Sequence, residues 1–212
     1  KIISLLFHPI FILTYAYILL AYFNPYMFKE ATTERVFAFD GETAKGRLFI
    51  YWMVFTAVIP IVGIVVMKGL GMVSSLSLPT QDERKIPYVL TGMFYMSLVA
   101  ANSYNDNMPM LIKSFALGAT IALFVAFFIN LFSKISMHTV GMGGLLAMVM
   151  IVMVLGESKY NGINQIFVFV ILMCGLVGTS RMLLGAHKPT DLYGGYLVGF
   201  MPQFVALSYT FT

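Results

Sequence analysis

The stretch SFALGATIALFVAFFINLFS, Ser114 to Ser133, runs for twenty residues without a charged side chain. Wound into a helix it is apolar on every face, so it has no side to turn toward water. At about 1.5 Å per residue it reaches about 30 Å, the thickness of the hydrocarbon layer of a bilayer. The solvent for this helix is lipid.

Outward from that stretch the pattern repeats. Leu48 to Met67, Ile86 to Asn105, Ile135 to Gly156, Tyr160 to Ser180 and Leu192 to Thr212 carry no charge, and Ile2 to Phe28 carries none beyond His8. Hydrophobic residues make up 59% of the 212-residue chain and charged ones 10%, with a mean hydropathy of +0.87. Water-soluble domains hold about 25% charged residues, so that class is excluded. The expected fold is an all-α polytopic transmembrane helix bundle of six to seven spans, a single domain over residues 1–212, integral to the membrane. The first run ends in Asn24-Pro25 rather than in a small-residue cleavage site, so it is expected to be a span and not a signal peptide. Cys174 is the one cysteine and lies inside an apolar run, where it serves packing.

Seven spans fix a parity, because each crossing moves the next loop to the other side. The side of Lys1 then holds seven Lys and Arg (Lys1, Lys68, Arg84, Lys85, Lys134, Arg181, Lys188) against three acids, Asp82, Glu83 and Asp191. The other side holds six against six, so the whole formal charge of +4 falls on the first. His8, His138 and His187 fall there too. A basic surface alone could merely attract anionic lipid. Histidines titrate near neutrality and suit acid/base or nucleophilic work, so an anionic group such as phosphate is the expected partner.

The densest polar cluster joins the last two spans: Ser180-Arg181-Met182-Leu183-Leu184-Gly185-Ala186-His187-Lys188-Pro189-Thr190-Asp191, which reads S-R-x5-H-x3-D. Two spans upstream stands Ile135-Ser136-Met137-His138, and before the third run stands Arg84-Lys85-Ile86-Pro87. The bland reading is open for each. Arg181 and Lys188 can snorkel to the interface, Asp191 can cap a helix beside Pro189, and Arg84 and Lys85 can pair with Asp82 and Glu83.

The first cluster resembles in full the third signature of the type 2 phosphatidic acid phosphatase (PAP2) family, whose fold is shared with vanadium haloperoxidases. The resemblance implies that His187 attacks phosphorus to give a phosphohistidine, that Asp191 holds its tautomer, and that Arg181 and Ser180 bind phosphate oxygens. The second signature, P-S-G-H, is matched at Ser136 and His138 but not at its Pro and Gly. By resemblance His138 is the general acid and Ser136 a phosphate ligand. The following Gly141, Gly143 and Gly144 suit either an anion at a helix N-terminus or close helix packing. The first signature, K-x6-R-P, is matched poorly: the position seven before Arg84 is Ser77 and seven before Lys85 is Leu78, so the lysine is missing. Arg84 or Lys85 is expected to touch phosphate, with Arg84 favoured and Lys134 or Lys188 able to replace the lost charge. His8-Pro9 reads as a helix start that could also line the site mouth. Gly195-x3-Gly199 permits close packing within the chain or in a homodimer.

The implied activity is that of a metal-independent membrane phosphatase, with no cofactor, acting on a lipid phosphate monoester or diphosphate. Membrane lipids are its surroundings and nucleic acid is no partner. The implied location is a bacterial inner membrane, with the site at the outer face. Two alternatives stay open: a lipid-binding or transport protein that keeps the fold without turnover, and a metal-dependent hydrolase using His138, His187 and Asp191 as ligands.

Overall fold

The computed structural model describes residues 1–23, 44–76, 78–106, 108–155 and 162–211. Ser77, the loop from Asn24 as far as residue 43, the Glu157–Asn161 connection and the outermost residues of several expected spans lie outside the described residues. Every regular element described is helical.

The first run is not one helix, which corrects the expected Ile2–Phe28 span. It divides into α1, Ile2–Leu6, and α2, Pro9–Phe23. Pro9 has no N–H to continue the first helix and its ring drives the preceding residue out of helical geometry, so the chain breaks at Phe7-His8. The His8 ring caps the new helix: its Nδ1 accepts the Ile10 N–H at 3.4 Å. A second proline shapes the next rod, α3 (Ala44–Met53), a π-helical turn (Val54–Val58) and α4 (Ile59–Gly69). Pro60 cannot bond to the Thr56 carbonyl, the Ile59 N–H reaches back five residues to Val54, and the Tyr95 hydroxyl lies 3.5 Å from the freed carbonyl.

Helix α5, Gln81–Ser103, begins earlier than its apolar run because Thr80 and Glu83 form a capping box that satisfies two N–H groups. Helices α6 (Met110–Phe132), α7 (Met137–Val154), α8 (Ile163–Leu183) and α9 (Pro189–Phe211) follow the remaining four runs. Gly46–Gly69, α6, α7 and α8 are long and apolar enough to cross a membrane. With 23 residues each, α5 and α9 have the length but more polar sequences. The protein is an integral membrane protein built as a helix bundle.

Helix α7 is the axis. In α7, 67% of the apolar window is buried, against 22% in α8 and 22% in Gly46–Gly69, which turn Val62, Val65, Val66, Phe169 and Leu172 outward to lipid. The closest packing is between α7 and α9. A Cβ on Gly199 would collide with the Val140 carbonyl and one on Gly143 with the Tyr196 backbone, groups that cannot swing aside. The GxxxG face of α9 is therefore filled within the chain, and the α7 glycines serve helix packing. Trp52 closes the core on the opposite flank, fully buried, with its indole N–H donated to the Leu13 carbonyl at 3.0 Å.

Candidate active site

Four chain segments meet at one end of the bundle: the α1–α2 break, the start of α5, the start of α7 and the α8–α9 connection. His8, Arg84, His138, Arg181 and His187 line a single cavity of about 200 Å³ there. Residues of all three sequence clusters thus reach the same cavity.

The α8–α9 connection is built by local rules. Helix α8 closes with the Ala186 N–H on the Arg181 carbonyl and the Gly185 N–H on the Met182 carbonyl, with Gly185 at φ +62, a conformation that favours glycine. The reversal delivers His187 just before Pro189 opens α9. Asp191, in the first turn, takes the Lys188 N–H at 3.1 Å and meets His187 Nδ1 at 3.3 Å, both through Oδ2. It is at once the helix cap and the partner of the imidazole. With Nδ1 held, Nε2 is the nitrogen left for a substrate.

The His187 side chain is 3% exposed. Burial holds its pKa below the usual 6.5; the Asp191 hydrogen bond pulls against that, and Arg181 and Arg84 add to the lowering. His8 is lowered in the same way, first by burial and then by Arg181. Both rings are biased toward the neutral form beside two guanidiniums, an arrangement that attracts an anion and keeps a ring nitrogen free to react.

Arg84 is fixed by the loop before α5: its Nε donates to the Leu78 carbonyl at 2.7 Å and its Nη2 to that of Pro79 at 3.4 Å. Leu78 has a positive φ of 48, which costs about 1–3 kcal/mol in a non-glycine residue. Lys85 is corrected. It is exposed, pairs with Asp82 at 2.5 Å on the surface, and is no part of the cavity wall. A one-residue step along a helix turns a side chain by about 100°, so the cavity receives Arg84 and solvent receives Lys85. Lys134 and Lys188 are also exposed and outside the wall.

Ser136 and Ser180 lie beside wall residues rather than in the wall. Ser136 is fully buried, its N–H bonds to the Asp191 carbonyl at 3.3 Å, and its hydroxyl has no hydrogen-bond partner. The Ser180 hydroxyl and Arg181 Nε are likewise buried and unpaired.

Sequence reasoning missed Ser4. It accepts a hydrogen bond from Arg181 at 2.8 Å and lies beside His138, contacts across 177 and 134 residues that no spacing could announce. It also missed the depth of the cavity. The wall runs along α5 from Arg84 to Tyr95, about 16 Å at helical rise, and passes Phe115, Leu123 and Gly144. Gln203 stands in this apolar shaft with its Nε2 buried and unpaired, as does the Tyr88 hydroxyl. Among the described residues no group of three His, Cys, Asp or Glu side chains comes together as a metal site would.

Residues 122–212 match the family model of the PAP2 superfamily. No curated protein and no solved structure matches the chain. The matched segment contains Ser136, His138, Ser180, Arg181, His187 and Asp191; Ser4, His8 and Arg84 come from outside it.

Proposed function

We propose, from the match of residues 122–212 to the PAP2 superfamily model, that the chain is a phosphatase of that type and hydrolyses a lipid phosphate monoester or diphosphate through a phosphohistidine. The observation that carries this reading is His187, held on Nδ1 by Asp191 at 3.3 Å in a cavity it shares with Arg84, Arg181 and His138. The Nε2 lone pair of His187 attacks phosphorus as the bond to the leaving oxygen breaks, and His138 hands that oxygen a proton. Water then attacks the phosphohistidine, gives a proton to His138 and releases inorganic phosphate. Arg84 and Arg181 balance the charge on the equatorial oxygens, with the Ser136 and Ser180 hydroxyls beside them. The apolar shaft below the cations suits the lipid chain, which favours a membrane-borne substrate over a small soluble phosphate. The seven-span reading of the sequence puts Lys29, Arg35, Lys45 and Arg47 across the membrane from the site, which favours an outward-facing site.

The test is phosphate release by purified protein from a short-chain phosphatidic acid and a polyprenyl diphosphate, with vanadate or with EDTA. Vanadate, which takes up the five-coordinate geometry of the transition state, should inhibit, and EDTA should not. Loss of activity in EDTA with recovery on adding zinc or magnesium would install the metal-dependent hydrolase instead. Absence of turnover on every lipid phosphate would favour the lipid-binding reading.

The acidity of His187 gives a second expected result. The nucleophile works neutral, so kcat/KM should fall as pH drops through a pKa below 6.5, and activity should persist under that pH. Arg84→Ala removes a positive neighbour, makes protonation of His187 easier and should move the acid limb to higher pH. The substrate's own ionisation near pH 6 is common to both enzymes and cancels in the comparison. An unchanged limb would mean that His187 does not titrate in it.

A further inference from the structure

The node at Ser4 lies outside every motif, yet it joins two of the groups that the phosphatase reading needs. We propose that Ser4 is a positioning residue, which fixes the tautomer of His138 and leaves one edge of Arg181 open to the phosphoryl group; the proposal rests on the phosphatase reading above.

Ser4 is buried, 6% exposed, on α1, which packs against α8. Its hydroxyl accepts the Arg181 Nη1–H at 2.8 Å. Its carbonyl oxygen lies 2.9 Å from His138 Nε2, and its hydroxyl 3.2 Å from the same nitrogen. A carbonyl can only accept, so Nε2 carries the hydrogen and shares it between the two oxygens of Ser4. Nδ1 is then the nitrogen that exchanges a proton: in the imidazolium it carries the proton given to the leaving oxygen, and the lone pair left behind takes a proton back from the attacking water.

His187 is held the other way round, by Nδ1, with Nε2 free. The two imidazoles therefore present opposite nitrogens, one to phosphorus and one to the proton in flight. Asp191 and Ser4 do for them the same job, through a carboxylate in one case and a backbone carbonyl with a hydroxyl in the other.

Arg181 is divided by the same contact. Ser4 takes Nη1, while Nε is buried without a hydrogen-bond partner. The edge formed by Nε and Nη2 is the fork that meets two oxygens of a phosphoryl group. A hydroxyl with two lone pairs can accept from Arg181 and His138 together, which alanine cannot do and threonine can.

The test uses the full chain in detergent as wild type, Ser4→Ala, Ser4→Thr and Ser4→Val, and Ser4→Ala combined with Arg181→Ala. Turnover of short-chain phosphatidic acid, vanadate affinity and melting temperature are measured on each. Ser4→Ala should lower kcat/KM about ten- to hundredfold, the worth of a hydrogen bond to a charged group, and weaken vanadate in parallel. Ser4→Thr should stay within about threefold of wild type while Ser4→Val, of the same shape without the hydroxyl, falls with alanine. In the Arg181→Ala background Ser4→Ala should cost under about threefold more, because the charged partner is already gone and His138 keeps the backbone carbonyl of residue 4.

Wild-type kcat/KM and vanadate affinity in Ser4→Ala would overturn the proposal and leave the phosphatase reading standing. Equal losses in Ser4→Thr and Ser4→Val, or an undiminished cost in the Arg181→Ala background, would show a role in folding alone and overturn it too. Faster turnover in Ser4→Ala would make α1 an obstruction rather than a support. A wild-type protein that neither turns over a lipid phosphate nor binds vanadate would remove both readings together. If it binds vanadate without turnover, the vanadate affinities of the Ser4 variants decide.

Discussion

His187→Ala should lower phosphate release by about a thousandfold or more, a loss of about 4 kcal/mol of transition-state stabilisation, with the protein still folded in detergent. His8 cannot take its place as nucleophile: its Nδ1 lone pair accepts the Ile10 N–H at the start of α2, which leaves only an N–H on Nε2. The fold should survive, because Asp191 keeps the Lys188 N–H as a partner and continues to cap α9. Retention of more than about a tenth of wild-type turnover would sink the assignment, since loss of a nucleophile is among the largest single effects an enzyme shows.

His138→Ala should cost about a hundred- to ten-thousandfold on a lipid phosphate monoester, the range of general acid–base catalysis. Substrate chemistry should modulate that cost. An alkoxide leaves only if it is protonated, whereas an aryl phosphate with a good leaving group needs no proton. With an aryl phosphate the variant should release one equivalent of phenolate per site in a burst and then stall, because the second step still lacks a base for water. Equal losses on both substrates, without a burst, would show that His138 acts on neither proton.

The membrane character was legible because it needs only the absence of charge over about 20 residues, a property of composition along the chain. The α8–α9 connection was legible for a related reason. Ser180 to Asp191 is contiguous, and Gly185 and Pro189 form the turn between helices by backbone rules that travel with the sequence. What depended on a side chain's direction was not legible. Arg84 and Lys85 are adjacent basic residues, and only the phase of α5, set by the capping box at Thr80, sends the first inward and the second to Asp82.

Prolines were visible, but their consequences were read only in part. Pro9 correctly marked a helix start, yet the residues before it were merged into the same span because hydropathy does not register a missing N–H. That merging concealed α1 as a separate piece, and with it the reason a serine in Ile2-Ile3-Ser4-Leu5-Leu6 is buried against Arg181. Gln203 and Tyr88 escaped notice likewise. A lone polar residue in an apolar run has no periodicity to betray which helix it faces, and only packing puts both in the shaft.

The central claim is a covalent phosphate on His187. Purified protein would be mixed with a lipid phosphate radiolabelled on phosphorus, quenched in alkali within the turnover time, digested and analysed for labelled peptides. A phosphoramidate is stable to alkali and labile to acid. The expected result is a label with that stability on the peptide carrying His187, absent from His187→Ala and present in undiminished amount with EDTA. Release of inorganic phosphate with no labelled protein at any quench time, or a label on a peptide without His187, would contradict it.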